Sequence, residues 1–291
     1  MTASPLTIDW VVLTMGDRPD QLGAAVRSLL DQLGDHDRVV VVANGADHVD
    51  LRDGPGVELV TSDHNLGVPG GRELGVRSGR ADIVAFLDDD AVLLGRAERI
   101  RQAFELDPGL AAVSLRLVDD DGRSLSRHVP RPGGSDPSIS GAVVHFLGGA
   151  SAIRRSAYEE VGGYFVDLFY GHEEIELSWR LIDAGWSIRY LADVEVAHPR
   201  TEISRHAEGW RLTGRNRVWI ARRTLPWPVA VVHTLTWLIL GLVRCGAANR
   251  RSYVAGWSTG WRTDWPSGVS RRPIRWATVW RLARLGRPPV V

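Results

Sequence analysis

The chain contains no lysine, so all 35 basic residues among its 291 are arginines and every cationic side-chain contact other than histidine must be a guanidinium. Sulfur is also scarce. The single Cys245 excludes an internal disulfide and argues for a reducing compartment. The opening stretch MTASPLTIDW lacks a basic region followed by an apolar one, so no secretory signal is expected and the chain is expected in the cytoplasm. No internal repeat is visible. Charge of either sign is missing between Arg223 and Arg244, where the chain reads TLPWPVAVVHTLTWLILGLV.

The formal net charge is zero, but the charges are not evenly spread. Residues 201–291 carry 16 Arg against Glu202, Glu208 and Asp264, a balance of +13, which leaves −13 on the first 200. Nine of the 12 Trp also lie beyond residue 200. An acidic front and a basic, Trp-rich back imply two parts with different partners. With 44% hydrophobic and 24% charged residues, the composition suits a folded soluble or membrane-peripheral protein of one large domain or two.

The front alternates apolar runs with amphipathic segments. Residues 8–14, 39–43, 57–61 and 83–87 read as strands, and 20–33 and 70–78 as helices, the second after a Pro-Gly break. That alternation predicts an α/β fold with a mostly parallel, Rossmann-like sheet and helices on both faces, whose ligands bind at the strand ends. A second block, 110–200, reads as strands over 111–118 and 143–153 and a helix over 173–184, with 119–141 a long mobile loop. The uncharged 224–243 stretch reaches roughly the 20 residues of a membrane span. Its prolines, His233 and flanking Arg leave two possibilities, a membrane-embedded or re-entrant helix and a buried core hairpin. RRPIRWATVWRLARLGR (271–287) suits either an anionic lipid surface or a docked C-terminal helix.

Two aspartate triplets differ in their surroundings. Asp119–Asp121 precedes Gly122 and reads as a hairpin turn with solvated carboxylates. Asp88–Asp90 follows the strand-like IVAFL and has no turn-making glycine. Carboxylates that cannot reach solvent need a cation, either Arg or a metal, and Asp88 and Asp90 are candidate ligands for Mg²⁺ or Mn²⁺. The plainer alternative is acidic capping of a following helix. Upstream, HNLGVPGGRELGV (64–76), which matches neither the dinucleotide fingerprint nor the P-loop pattern, is either a plain Gly-containing turn or a turn into a helix where backbone N–H groups and Arg72 would meet an anion. YGHEEIELSWRL (170–181) opens a helix with Glu173, Glu174 and Glu176, which either favour its dipole or include a general base. His198, after the run 194–197, is either structural or completes a metal site.

Taken in order over about 8–200, these segments resemble glycosyltransferase family 2, inverting enzymes of the GT-A fold. The resemblance covers VVLTMGDRP (11–19), VVVVANGAD (39–47), NLGVPGGRELG (65–75), FLDDDA (86–91) and the 148–181 stretch ending in HEEIELSWR. It implies a nucleotide-diphospho-sugar donor bound by Thr14, Arg18, Asn44, Asp47, Asn65, Gly67, Gly71, Arg72, Asp88 and Asp89. It also implies a divalent ion on Asp88, Asp90 and His198, and Glu174, beside Glu173, as catalytic base. Four residues depart from the pattern: Ala43 stands where an acidic residue is usual, Glu73 replaces Asn, and Glu174 and Glu176 each replace Asp. The subgroup most similar acts on lipid-linked glycans with rhamnosyl- and galactofuranosyl-type chemistry, and the Arg- and Trp-rich tail fits it.

The expectation is an inverting, metal-dependent transfer onto a glycan or lipid-linked acceptor in cell-envelope polysaccharide synthesis, on the cytoplasmic face of the membrane, with no nucleic-acid partner. The expected organisation is a glycosyltransferase domain over 1–203, divided near 110 into donor and acceptor halves, then a helical region over 204–291. Two rivals remain. A sugar nucleotidyltransferase would need a basic Gly-rich triphosphate loop after the first strand, where LTMGDRPD offers only Gly16 and Arg18. A non-catalytic membrane scaffold would not need the acidic residues.

Overall fold

The computed structural model describes residues 5–51, 54–124, 128–130, 136–199 and 208–290. Strand β1 (Ile8–Thr14) is buried along nearly its whole length, as a central parallel strand requires. Helix α1 (Pro19–Leu30) opens on a proline whose missing N–H would have had no partner there, and it buries Leu22, Ala25, Val26 and Leu29. Strands β2 (Arg38–Asn44) and β3 (Val57–Ser62), helix α2 (Gly67–Ser78) and strand β4 (Ile83–Asp88) continue the alternation. β1 pairs in parallel with β2 and β4, and β2 with β3.

Then come β5 (Val92–Leu93), α3 (Ala97–Leu106), β6 (Leu110–Val118), β7 (Gly141–Ala142), β8 (Ala150–Arg154), α4 (Arg155–Glu160), α5 (Glu173–Asp183) and β9 (Ser187–Ala197). The nine strands make one sheet, ordered β3-β2-β1-β4-β8-β6-β9-β5 with β7 beside β9. β8 runs antiparallel to β4 and β6, whereas β6 and β9 are parallel, so the sheet is mixed but mostly of one sense. Alternate side chains feed opposite faces. Val11, Val40, Val42, Val84 and Phe86 lie in one apolar layer, and Trp10, Val12, Val39, Val41 and Leu87 in the other.

Helices α6 (Gly209–Thr224), α7 (Trp227–Arg244), α8 (Gly246–Arg262) and α9 (Trp276–Arg284) form the back. They are not a separate body. Trp219, Ile220, Leu225, Val229, Ile274 and Leu282 share the apolar layer that contains Val11 and Phe86. α6 and α8 cross closely over glycines: a Cβ on Gly256 would lie 1.9 Å from the Arg211 carbonyl, and one on Gly214 2.3 Å from that of Tyr253. Glu176 of α5 accepts from Arg180 at 2.6 and 2.9 Å, from Thr224 at 3.1 Å and from Arg223, so a buried ion cluster joins front to back. Burial opposes its charge, but Arg180 and Arg223 hold this carboxylate below its ordinary value.

Several sequence expectations need correction. Residues 143–153 are not one strand: β8 begins only at Ala150, after the Gly148–Gly149 break, and β7 covers 141–142. α2 begins at Gly67, before Pro69-Gly70, because a first-turn proline forfeits no helical hydrogen bond. α1 stops at Leu30 rather than 33, and β9 begins at Ser187, well before the apolar run 194–197. Asp88–Asp90 caps no helix, since β5 follows and α3 starts at Ala97 with Arg96 as its cap. Asp119 forms the turn expected, accepting from the N–H groups of Asp121 and Arg123, but it is buried, and among the described residues 121–124 no strand follows it. The 119–141 loop lies partly outside the described residues, as does the 203/204 boundary.

α7 covers residues 227–244 and presents two unlike faces. It buries Val229, Ala230, His233, Thr234 and Gly241, yet Val231, Val232, Leu235, Ile239 and Val243 are exposed along its other face. By length and a mean hydropathy of 1.4 it could cross a membrane, and 28% of it is buried. α9 docks through Thr278 and Leu282 and exposes Trp276 and Trp280.

Candidate active site

The carboxyl ends of β1 and β4 are level, with Leu13 opposite Asp88. This register brings Thr14 to the second aspartate of the triplet: its hydroxyl donates to Asp89 Oδ2 at 2.7 Å. Arg18, at the start of α1, donates to Asp89 Oδ1 at 3.2 Å and to Asp90 Oδ2 at 2.7 Å. β9 brings its end to the same place, and His198 Nε2 lies 3.2 Å from Asp90 Oδ1 and 3.6 Å from Asp88 Oδ2. One ligand atom from each of Asp88, Asp90 and His198 falls within 4.8 Å of the others. Two carboxylates and an imidazole so arranged fit a hard or borderline divalent ion that keeps open positions for phosphate oxygens.

Arg72, in the second turn of α2, faces the site from the other side. It is buried and donates to Glu174 Oε1 at 3.0 Å, to Glu173 Oε1 at 3.4 Å and to Asp88 Oδ1 at 3.5 Å. One guanidinium therefore links the start of α5 to the end of β4. Gly148 and Gly149 make this possible: a Cβ on Gly148 would sit 1.9 Å from Glu174 Oε1, and one on Gly149 2.0 Å from Asp88 Oδ2. These two glycines are missing from the residues singled out by sequence. The GG pair ahead of β8 is their only local sign, and it says nothing about what packs there.

The electrostatics follow from this crowding. Burial works against an ionised Asp88, but His198 and Arg72 hold it below its ordinary value. Burial pushes Asp89 up to about 6 despite Thr14 and Arg18. His198 is also desolvated, yet Asp88 and Asp90 carry it up to about 10, so without a metal it is an imidazolium bridging two carboxylates. Glu173 rises to about 8, first through burial and then through Glu174, with Arg72 opposing.

The Gly-rich turn works differently from expectation. The N–H groups of Leu66, Gly67 and Val68 donate to Asn44 Oδ1, Asn65 Oδ1 and the Phe169 carbonyl, and Pro69 has none, so these groups do not cradle an anion. Asn44 also donates to Asn65 Oδ1 and the Gly67 carbonyl, which makes it the anchor of this loop. Gly67, at φ +73°, leaves room for the Phe169 carbonyl, where a Cβ would come within 2.2 Å. Gly71 does the same for Leu13. Asp47 stands exposed on the loop after β2, outside the cluster around Asp88. The structure thus brings together Thr14, Arg18, Arg72, Asp88, Asp89, Asp90, Glu173, Glu174 and His198, while Asn44, Asn65, Gly67 and Gly71 hold the element that carries Arg72.

Comparison with known proteins agrees with this architecture. GalNAc-T7 with UDP, GalNAc and Mn²⁺ superimposes with a TM-score of 0.64 at 14% identity, covering 90% of this chain and 57% of that one. TarS 1–349 of S. aureus gives 0.61 at 12% over 88% and 81%, and the mannosyltransferase PcManGT of Pyrobaculum calidifontis with GDP-Man and Mn²⁺ gives 0.56 at 17% over 97% and 80%. These likenesses show the GT-A fold. The pre-mycofactocin glycosyltransferase of Mycobacterium tuberculosis is 31% identical over 216 residues, 67% of this chain, which spans only 43% of that protein's length. The Glycosyl transferase family 2 profile matches residues 10–162, more than half of the chain. This chain belongs to glycosyl transferase family 2.

Proposed function

We propose that the chain transfers a sugar, with inversion, from a nucleotide-diphospho-sugar to a hydroxyl of a glycan or lipid-linked acceptor. The observation that carries this is the convergence of Asp88, Asp90 and His198 beside Glu174, with Arg72 between them. Asp88, Asp90 and His198 would hold a divalent ion, Mn²⁺ or Mg²⁺, which when bound offsets the negative charge building on the departing diphosphate. Arg72 and Arg18 supply guanidinium donors to the same phosphates. Thr14, Asp47 and the Asn44–Asn65 loop lie at the strand ends where a base would rest. Glu174 takes the acceptor's hydroxyl proton as that oxygen bonds to the anomeric carbon. The bond from that carbon to the diphosphate oxygen breaks on the opposite side, and its electron pair leaves with the nucleoside diphosphate.

The donor-binding half is assigned to 1–110, the acceptor side to 111–203 and the helical region to 204–291. The exposed apolar face of α7, with the outward Trp276, Trp280 and neighbouring Arg of α9, supports a peripheral position on the cytoplasmic face of the membrane. The sugar class we favour is rhamnosyl or galactofuranosyl, and the setting cell-envelope polysaccharide synthesis. No nucleic acid takes part. The test is nucleoside diphosphate release from a panel of UDP-, dTDP- and GDP-sugars with Mn²⁺ or Mg²⁺. One donor should be turned over with metal and none with chelator. Failure of every donor in the presence of metal rejects the proposal.

A further inference from the structure

A second group of ionisable side chains lies behind the start of α5, and the transfer chemistry leaves it unused. Arg217 of α6 is only 7% exposed and His233 of α7 only 1%. Arg217 makes no hydrogen bond or ion pair among the described residues. Its Nε is buried without a partner, and its guanidinium rests on the Trp237 ring, 3.4 Å from the centroid. The Nε2 atoms of His172 and His233 are also buried and unpartnered. His233 is oriented from its other nitrogen, which faces the Pro289 carbonyl at 2.5 Å, and its ring packs edge-on to Trp179. Near the C-terminus Arg287 Nη1 donates to the ring of His145 at 3.0–3.1 Å.

Among the described residues the charges acting on Arg217 are the arginines Arg244 and Arg287, and the Tyr253 phenol alone acts in the opposite sense. Arg217 acts on His145, His172 and His233, and Arg287 on His145 and Arg217, with no carboxylate compensating either arginine among the described residues. Elsewhere in this chain buried arginines are paired: Arg72 with Glu174, Arg101 with Asp37, and Arg180 and Arg223 with Glu176. A buried, unpaired cation is strongly unfavourable, so such a group is retained where something outside the chain pairs with it. Its position is informative. His172 caps α5 and immediately precedes Glu173 and Glu174. Asn216, next to Arg217, donates to the carbonyls of Leu168, Tyr170 and Gly171, fixing the segment that leads to that cap.

We propose that Arg217 and Arg287, with His145, His172 and His233, form a subsite for a phosphoryl group carried by the acceptor. A guanidinium matches two phosphate oxygens at once, and the surrounding imidazoles supply further polar atoms for the rest. The acceptor is then a phosphate-bearing molecule, either lipid-linked or water-soluble, held by its anionic end while its hydroxyl meets Glu174. Only the naming of the bound molecule as acceptor rests on the glycosyl-transfer reading; the anion site does not.

The test uses the full chain in chelator, with inorganic phosphate and then pyrophosphate as probes and thermal melting and calorimetric titration as readouts. Phosphate should raise the wild-type melting temperature. R217M, which replaces an unpaired buried charge by an apolar side chain of similar length, should melt higher without phosphate and no longer respond to it. R287Q, at a more accessible position, should keep the fold and weaken phosphate binding by about tenfold or more. D90A should retain the response, because it alters only the donor side. A response that persists in R217M and R287Q, is lost in D90A, or never occurs in wild type overturns the subsite. Vesicles of phosphatidic acid against phosphatidylcholine separate the sources. A wild-type shift with phosphatidic acid that R217M lacks assigns the group to a lipid, whereas a response to the inorganic ions alone assigns it to a soluble acceptor. Donor turnover with Mn²⁺ is measured alongside, so a failed transfer reaction and a failed anion site give different results.

Discussion

Identical residues acquire different roles from the elements that carry them. Asp88 and Asp90 end a buried strand and meet His198 and Arg18, whereas Asp120 is exposed in a turn. Asp90→Ala should therefore abolish metal-dependent donor binding in a titration with Mn²⁺, and Asp120→Ala should leave it unchanged; equal losses would contradict the distinction. Glu174→Gln keeps a hydrogen-bond acceptor for Arg72 but cannot take a proton. Donor affinity should survive while transfer falls by roughly 10²–10⁴-fold. His198 adds a pH dependence. Because its folded pKa of about 10 lies above the ordinary 6.5, its contribution to metal-free stability is complete below 6.5 and is lost as pH rises through about 10. A metal-binding imidazole must be neutral, so Mn²⁺ affinity should run the other way, rising about tenfold per pH unit below that value. An isothermal titration series between pH 6 and 9 (about the range the chain should tolerate) would detect it, and a flat profile would exclude a protonated His198.

Strands and helices were legible where a local pattern reports the environment. The runs at 8–14 and 83–87 are apolar because both faces of β1 and β4 are covered, and this burial is visible residue by residue. The failures occur where long-range packing decides. Residues 143–149 have strand composition, but the chain turns at Gly148–Gly149 so that Asp88 and Glu174 can approach. The triplet, Glu174 and His198 could be picked out because their chemistry is unusual for their positions. The pairing of Arg18 with Asp89 and Asp90 joins residues far apart in sequence, and neither it nor the lack of a partner for Arg217 among the described residues leaves a periodic trace. The α6–α8 crossing is another case. Nothing around Gly256 announces a helix contact, yet its place is taken by the Arg211 carbonyl. Gly256→Val should force the two helices apart and cost about 1–3 kcal/mol or more in denaturant unfolding, and unchanged stability would mean that the crossing is loose.

At the scale of the molecule, α7 presents an apolar face with no partner among the described residues. Ile239 and Val243 are 64% and 74% exposed, on the side away from the buried Val229, His233 and Gly241. Leu235→Glu with Ile239→Glu should lower sedimentation with anionic vesicles by about tenfold without lowering the melting temperature, since neither side chain is buried. Cosedimentation equal to wild type would reject lipid contact. Deleting the helices would be a poorer test, because Trp219, Ile274 and Leu282 belong to the same apolar layer as Val11 and Phe86. That shared layer has a geometric consequence. A lipid-facing helix and a sheet locked into one core cannot rock against each other, so the carboxylates at the strand ends would ride at a constant height above the bilayer. On the proposed membrane-bound reading the protein would work as a ruler, with the spacer between a membrane anchor and the reactive hydroxyl deciding which acceptors reach Glu174.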